Sequence, residues 1–487
     1  MKSLLTLFLF LGISPLIAQI SPENIQSAES LFDLSFDEGE RDSMLNNLGF
    51  QRGNLQQIHE YSLDNAIPPA MNYRPIPQGF EIEEQQFPIV WSFPEEVKIP
   101  ANKEDLAFYT VAELAFLLRS RKITSTALTK IYLERLKRYG DTLHCVVSLT
   151  EELALQQAAK ADREIMAGLW RGPLHGIPYG VKDLLSVPGY KTTWGAGPYR
   201  DQDRGEEMST VVKKLEAAGA VLVAKLSLGA LAMGDVWFEG TTRNPWNLEQ
   251  GSSGSSAGSS SATAAGLVAF AIGTETWGSI VSPSTRCSVT GLRPTYGRVS
   301  RAGAMALSWS MDKIGPICRS AQDCAMVLET IRGADGIDQT VTNAPFNYYG
   351  EVDLSQLKIG YFKDYFDSNY GNKKADSVSL AVLQELGADL QPVSFETEIP
   401  VGALSVILTA EAAAAFDELT RTNQDSLLTR QMRQAWPNLF RTARFIPAVD
   451  YINANRIRTQ LLQEFHKMIQ EYDVIVSPSY GGNQLLA

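Results

Sequence analysis

Residues 251–266 read GSSGSSAGSSSATAAG and run without a break into LVAFAIGTETWGSIVSP. Seven of the sixteen are Ser, four are Gly and four are Ala, a composition that in isolation makes a flexible linker. A linker separates domains, however, and does not lead straight into a core element. The apolar run that follows has to be buried, so the small residues mark a place where backbone approaches backbone. Ala262–Gly266 is expected to pack tightly as part of a helix. The remaining Ser and Gly residues bring N–H groups and hydroxyls close together near a turn, which is the chemistry of an oxyanion site.

The pattern around this segment alternates. From Thr110, TVAELAFLLRSRKITSTALTKIYLERLKRYG places Leu and Ile at helical spacing, with Ser125 as N-cap of a second helix. EELALQQAAKADREIMAG is a helix ended by Gly168, and GPLHGIPYGVKDLLSVPG is a short apolar strand between tight turns. STVVKKLEAAGAVLVAKLSL reads as helix, Gly219 cap and buried strand. Further on, Leu357–Phe362 and ADLQPVSF predict strands around a helix, residues 401–471 are mostly helical, and Val474–Pro478 is a short buried strand. The rhythm puts the fold in the α/β class.

Charge and composition exclude several functions. The net charge of −12 disfavours nucleic acid as a partner, because affinity there rests on neutralising phosphates. None of the four His (His59, His144, His175, His466) pairs at metal-ligand spacing, and Cys145, Cys287, Cys318 and Cys324 include no CxxC. A metal centre is therefore not expected. The chain opens MKSLLTLFLFLGISPLIAQI, whose apolar part, Leu4 to Ala18, is 15 residues long. A membrane span needs about 20, so residues 1–18 are expected to be a signal peptide. Its removal would leave no membrane anchor, and the chain would be periplasmic or secreted. There Cys318 and Cys324 could pair, or all four thiols could stay free and buried. Residues 19–104, acidic and Pro-containing, are expected to form an extension wrapping a main domain of residues 105–487.

Two catalytic arrangements compete. Gly254-Ser255-Ser256-Ala257-Gly258 matches the nucleophile elbow G-x-S-x-G, centred on Ser256. The preceding NPWNLEQGS is not the hydrophobic strand an elbow needs. The only downstream His, His466, sits on the charged helix EFHKMIQEYD. Lys182, in Tyr179-Gly180-Val181-Lys182-Asp183-Leu184-Leu185, is the other candidate base. A lysine there is commonly a solvated cation, but burial would lower its pKa and let it act neutral. Serine–lysine catalysis is a known variant of the triad.

These residues resemble the amidase signature family. GIPYGVKD is similar to its lysine motif. The stretch from NPWNLEQGSSGSSAGSSS through GTETWGSIVSP to SMDKIGPICRS is similar to the signature and its continuation. The similarity runs from about Leu106 to the end of the chain. It implies an α/β/α sandwich around a large mixed central sheet, preceded here by a mostly helical N-terminal extension. It also implies a Ser–cis-Ser–Lys triad, with Lys182 as base, Ser255 as the bridging serine after a cis peptide, and Ser279 as nucleophile. Backbone N–H groups around Thr276, Trp277 and Gly278 would hold the oxyanion. The implied reaction is hydrolysis of a small carboxylic amide to acid plus ammonia or amine, through an acyl-enzyme and without metal or organic cofactor.

The chain departs from the family pattern in places. Trp277-Gly278 stands where two glycines are usual, and Val281 where Arg is usual. Ser253 and Ala257 stand where the pattern has Gly. Loss of the Arg leaves its acidic partner in doubt, and Trp277 is either inert packing or a pocket wall. One rival reading is the glutaminase component of a glutamyl-tRNA(Gln) amidotransferase, which the expected leader and acidic extension oppose. Another is a non-catalytic binding protein on the same fold, which the intact Lys182, Ser255 and Ser279 oppose. Family members continue past a strand like Val474–Val476, so YGGNQLLA is expected to end a chain that lacks a C-terminal segment.

Overall fold

A strand covered on both faces needs no polar alternation, and the continuous apolar runs accordingly form the middle of a six-stranded mixed sheet. The computed structural model describes residues 20–32, 34–60 and 73–478. The expected signal peptide lies outside these residues, as do residues 479–487, on which the expectation of an absent C-terminal segment depends. The sheet order is Val146–Leu149, Val221–Leu226, Pro178–Lys182, Phe270–Glu275, Lys313–Cys318, Thr290–Gly291. The three strands Val221–Leu226, Pro178–Lys182 and Phe270–Glu275 run parallel, and each remaining strand is antiparallel to its neighbour.

Side chains alternate across a strand, so this sheet feeds two cores. Val221 and Val223 pack with Leu133, Leu136, Ala154 and Ala158, from the helices Ser125–Leu143 and Glu151–Met166. Leu222, Tyr179 and Phe270 face the other way, into a larger cluster that includes Leu117, Val327 and Phe440. The result is a helix layer on each face. A second, separate parallel sheet orders Asp389–Val393, Lys358–Phe362 and Val474–Val476.

The N-terminal helices Pro22–Phe32 and Glu38–Glu60 pack on each other, and the second lies against Trp436–Ala443 and Ala448–Ile469. Arg441 joins them by pairing with Glu40 at 2.7 Å and Asp425 at 3.0 Å. Residues 73–102 carry no helix. All four cysteines are free and buried, so Cys318 and Cys324 are not paired. Among the described residues no helix is long and apolar enough to cross a membrane.

One sequence expectation shifts by a residue. Thr124, not Ser125, caps the helix, its side chain accepting from Ala127 N. Ser125 is buried and donates instead to Gly176 O at 2.8 Å, fastening the helix to the loop before the lysine strand.

Beside that strand lies a fully buried ion pair, Lys225 Nζ to Asp183 Oδ1 at 2.7 Å. Asp183 Oδ2 also accepts from Thr193 N and Oγ1, and Lys225 donates to Lys191 O and Thr192 Oγ1. Burial raises the Asp183 carboxyl pKa and lowers that of the Lys225 amine. Removing one partner strands the other charge, so Lys225→Met is expected to lower unfolding free energy by about 3–5 kcal/mol. The Lys225→Met/Asp183→Leu double variant should recover most of that loss in denaturant unfolding.

Candidate active site

In parallel sheets, functional groups gather at the carboxyl ends of strands. Lys182 is the last residue of its strand, and the neighbouring parallel strand ends at Glu275. The Lys182 side chain is 0 % exposed. Its Nζ donates to Ser255 Oγ at 2.8 Å, Thr274 Oγ1 at 2.9 Å, Ser256 Oγ at 3.1 Å and Thr274 O at 3.2 Å. All four acceptors are neutral. Desolvation therefore lowers the amine pKa to about 7, against the weaker opposing pull of Asp312 and Glu275. The contrast with Lys225 separates the two buried lysines: Lys225 has a carboxylate partner and Lys182 has only hydroxyls and a carbonyl.

The small residues of 251–266 are explained by contact distances. A Cβ on Gly254 would lie 1.8 Å from Gly234 O. One on Gly258 would lie 2.5 Å from Ser227 N and 2.6 Å from Cys145 O. The helix Ala257–Ala264 is thus pressed against the chain beneath it. The Gly254–Ser255 peptide is cis, which is the position named from the family resemblance.

Ser256 is not placed as an elbow nucleophile. Its Oγ donates to Thr274 O at 3.0 Å and accepts from Thr274 N at 3.1 Å, so it ties the serine segment to the strand end. NPWNLEQGS does form a strand, Asn247–Gly251, but an exposed one. The His466 ring packs edge-on to Phe80. Thr274 is the site residue that sequence reasoning missed, and Ser256, weighed there as an elbow nucleophile, is instead a partner of the Lys182 amine. Their contacts with Lys182 arise from strand neighbours far apart in the chain, and no local pattern signals them.

Ser279 sits on the turn leaving Phe270–Glu275 and is 9 % exposed. Its carbonyl accepts from Ser256 N at 3.1 Å. Its hydroxyl has no hydrogen-bond partner among the described residues, so the link to Ser255 is not closed by a hydrogen bond here. The turn is fixed from within by the buried carboxylate of Glu275. Glu275 Oε2 accepts from Ile280 N at 2.8 Å and Val281 N at 3.0 Å, while Arg293 reaches Oε1 at 3.2 Å. Burial raises the Glu275 pKa, but the N–H groups of Val281, Ile280 and Gly278, together with Arg293, outweigh it and hold the pKa below its usual value. Thr276 Oγ1 donates to Asp312 Oδ1 at 2.6 Å. Trp277 is 64 % exposed, so it is not packing in a core.

A cavity of about 230 Å³ opens beside Thr274 and Thr276. Its walls are mostly apolar and include Leu184, Met305, Leu307 and Trp309. The charged groups lining it are already engaged. Arg301 pairs with Asp338 at 3.1 Å, Asp312 Oδ2 accepts from Leu307 N and Ser308 N, and Lys313 donates to Thr276 O and Met311 O. Among the described residues no cluster of His, Cys, Asp or Glu is placed to hold a metal ion.

A family profile described as Amidase matches residues 127–485. The glutamyl-tRNA(Gln) amidotransferase A chain of Marinomonas sp. is 34% identical over 397 residues, covering 76% of this chain and 81% of that protein. The native peptide amidase of Stenotrophomonas maltophilia superposes with a TM-score of 0.63 at 30% identity, over 72% of this chain and 79% of that one. An amidase family protein from Bacillus anthracis gives a TM-score of 0.69 at 25% identity, over 79% and 83%.

The contact distances around the serine segment generate a pair of opposite expectations. Gly258→Ala forces backbone apart and is expected to destabilise by about 1–3 kcal/mol. Gly49→Ala, in an exposed helical position with open space around it, is expected to stabilise by about 0.5–1 kcal/mol. Thermal unfolding of the two variants checks both signs.

Proposed function

Because the chain belongs to the amidase family and is a C–N hydrolase, we propose that it hydrolyses a carboxylic amide to acid plus ammonia or amine, through an ester on Ser279. The observation that carries this reading is the buried, carboxylate-free Lys182 amine 2.8 Å from Ser255 Oγ. In the neutral form Lys182 takes a proton from Ser255, which takes one from Ser279 as Ser279 Oγ attacks the amide carbon. N–H groups of the turn through Thr276, Trp277 and Gly278 receive the oxyanion. The proton returns through Ser255 to the leaving nitrogen, and water then cleaves the ester. Catalytic hydrogen bonds are often long until substrate is in place, which accounts for the open step between Ser255 and Ser279.

The similarity to glutamyl-tRNA(Gln) amidotransferases favours a second reading, a glutaminase. The cavity supports the first. Glutamine carries an ammonium and a carboxylate, and the charged groups lining this cavity are already bound to protein partners. An uncharged, largely apolar amide suits those walls better. The intact Lys182, Ser255 and Ser279 speak against a non-catalytic binder. The short apolar segment at the start supports a periplasmic or secreted location, which N-terminal sequencing of the mature chain would test.

A panel of amides that includes glutamine tests the substrate class, with apolar amides expected to turn over faster. Ser279→Ala is expected to abolish both turnover and covalent labelling by a fluorophosphonate. Lys182→Ala should lose nearly as much, and the double variant little more, because members of one relay are not additive. Wild-type rates in Ser279→Ala would overturn the assignment.

The pH dependence has a defined sign. Protonated Lys182 cannot accept a proton, so kcat/KM should rise with pH through about 7. It should fall about tenfold per pH unit on the acid side. A pH–rate profile between pH 5 and pH 9, on protein shown to stay folded, measures this.

A further inference from the structure

Thr276 opens the oxyanion turn, and it is gripped twice by consecutive residues of the neighbouring chain segment. Asp312 takes its hydroxyl at 2.6 Å, and Lys313 Nζ donates to its carbonyl at 3.2 Å. Both residues arrive there through sheet register, since Lys313 begins the strand Lys313–Cys318 directly opposite Glu275. Lys313 also donates to Met311 O, which anchors the ammonium in place.

A peptide unit is planar and trans, so its C=O and N–H point to opposite sides. Fixing the Thr276 carbonyl therefore fixes the direction of the Trp277 N–H. A peptide that rotated there would present a carbonyl oxygen where a donor is needed, which is repulsive toward a developing oxyanion. The Trp277 side chain is exposed and gives little anchoring of its own. Glu275 secures the turn from Gly278 onward, at Ile280 and Val281 above all, and leaves the Thr276–Trp277 peptide to other contacts.

We propose that Lys313 is a positioning residue of the oxyanion turn, whose ammonium holds the Thr276 carbonyl and so aims the Trp277 N–H at the reacting carbonyl oxygen. The cation also polarises the Thr276–Trp277 amide, making its N–H a stronger donor. This inference rests on the amide-hydrolase reading above.

The charged groups facing Lys313 come from four places. Glu275 lies on the paired strand, Asp312 precedes it in the chain, Arg293 follows Thr290–Gly291, and Arg301 lies in the loop before the strand. Burial and the two arginines lower the Lys313 pKa, Glu275 and Asp312 oppose them, and the balance falls at about 8. The ammonium is the working form, so activity is lost as pH rises through that value. Lys182 requires the opposite, and the profile of kcat/KM is bell-shaped.

The test uses the full chain with an amide substrate that Ser279→Ala fails to hydrolyse. If Ser279→Ala still turns it over, the amide-hydrolase reading itself fails, independently of Lys313. Given that control, Lys313→Met is expected to lower kcat about tenfold or more with KM little changed, in line with partial loss of an oxyanion donor, and to lose the alkaline limb. Lys313→Arg keeps charge and donors, so it should retain more activity and move the alkaline limb beyond about pH 9. Unchanged kcat and limb in Lys313→Met would overturn the proposal. If Lys313→Met does not fold, an alkaline limb that stays near pH 8 in Lys313→Arg would overturn it equally.

Discussion

Everything at the site depends on an amine buried without a carboxylate. Water is excluded from Lys182 by the cores on both sides of the sheet, and its neighbours are two serines and a threonine. Desolvation outweighs the weaker pull of the Asp312 and Glu275 carboxylates, so the amine loses its proton close to pH 7. The arrangement weakens the fold toward neutral and acid pH. The unfolded chain binds a proton at Lys182 below about 10.5, while the native chain resists it down to about 7. Stability from this group is complete above the higher value and declines as pH falls between the two.

The remaining elements serve to keep that amine dry and aimed. Parallel neighbours place Lys182 and Thr274 at adjacent strand ends. Glycines at 254 and 258 let the serine segment lie within contact of the chain beneath it, where no side chain would fit. The Asp183–Lys225 pair, one residue beyond Lys182, satisfies a second buried lysine separately. The Ser279 turn is then fixed from three sides, by Glu275, Asp312 and Lys313. The family to which the chain belongs accounts for the fold, and these contacts account for how this sequence supports it.

Legibility followed the range of the interactions. Apolar runs bounded by Gly and Pro located the central strands, and the parallel pair Lys358–Phe362 and Asp389–Val393 around a helix was readable for the same reason. Motif resemblance named Lys182 and Ser255, which the structure brings into contact, and the cis peptide between Gly254 and Ser255. Contacts set by register were not readable. Nothing local to Thr274, Asp312 or Lys313 says that each will meet the site, because strand pairing across many residues decides it. The contact of Arg293 with Glu275 is of the same kind. The Thr124 cap was missed because both neighbouring hydroxyls suit the role, and only the buried Gly176 carbonyl assigns Ser125 elsewhere.

The central claim is that a neutral Lys182 activates Ser279 through Ser255. The most direct measurement is the second-order rate of fluorophosphonate modification as a function of pH, with the adduct located by mass spectrometry. The account predicts a single adduct on Ser279, forming at a rate that rises with pH through a midpoint near 7 and that collapses in Lys182→Ala. An adduct on Ser256, or a Ser279 rate that is flat with pH and survives Lys182→Ala, would contradict it.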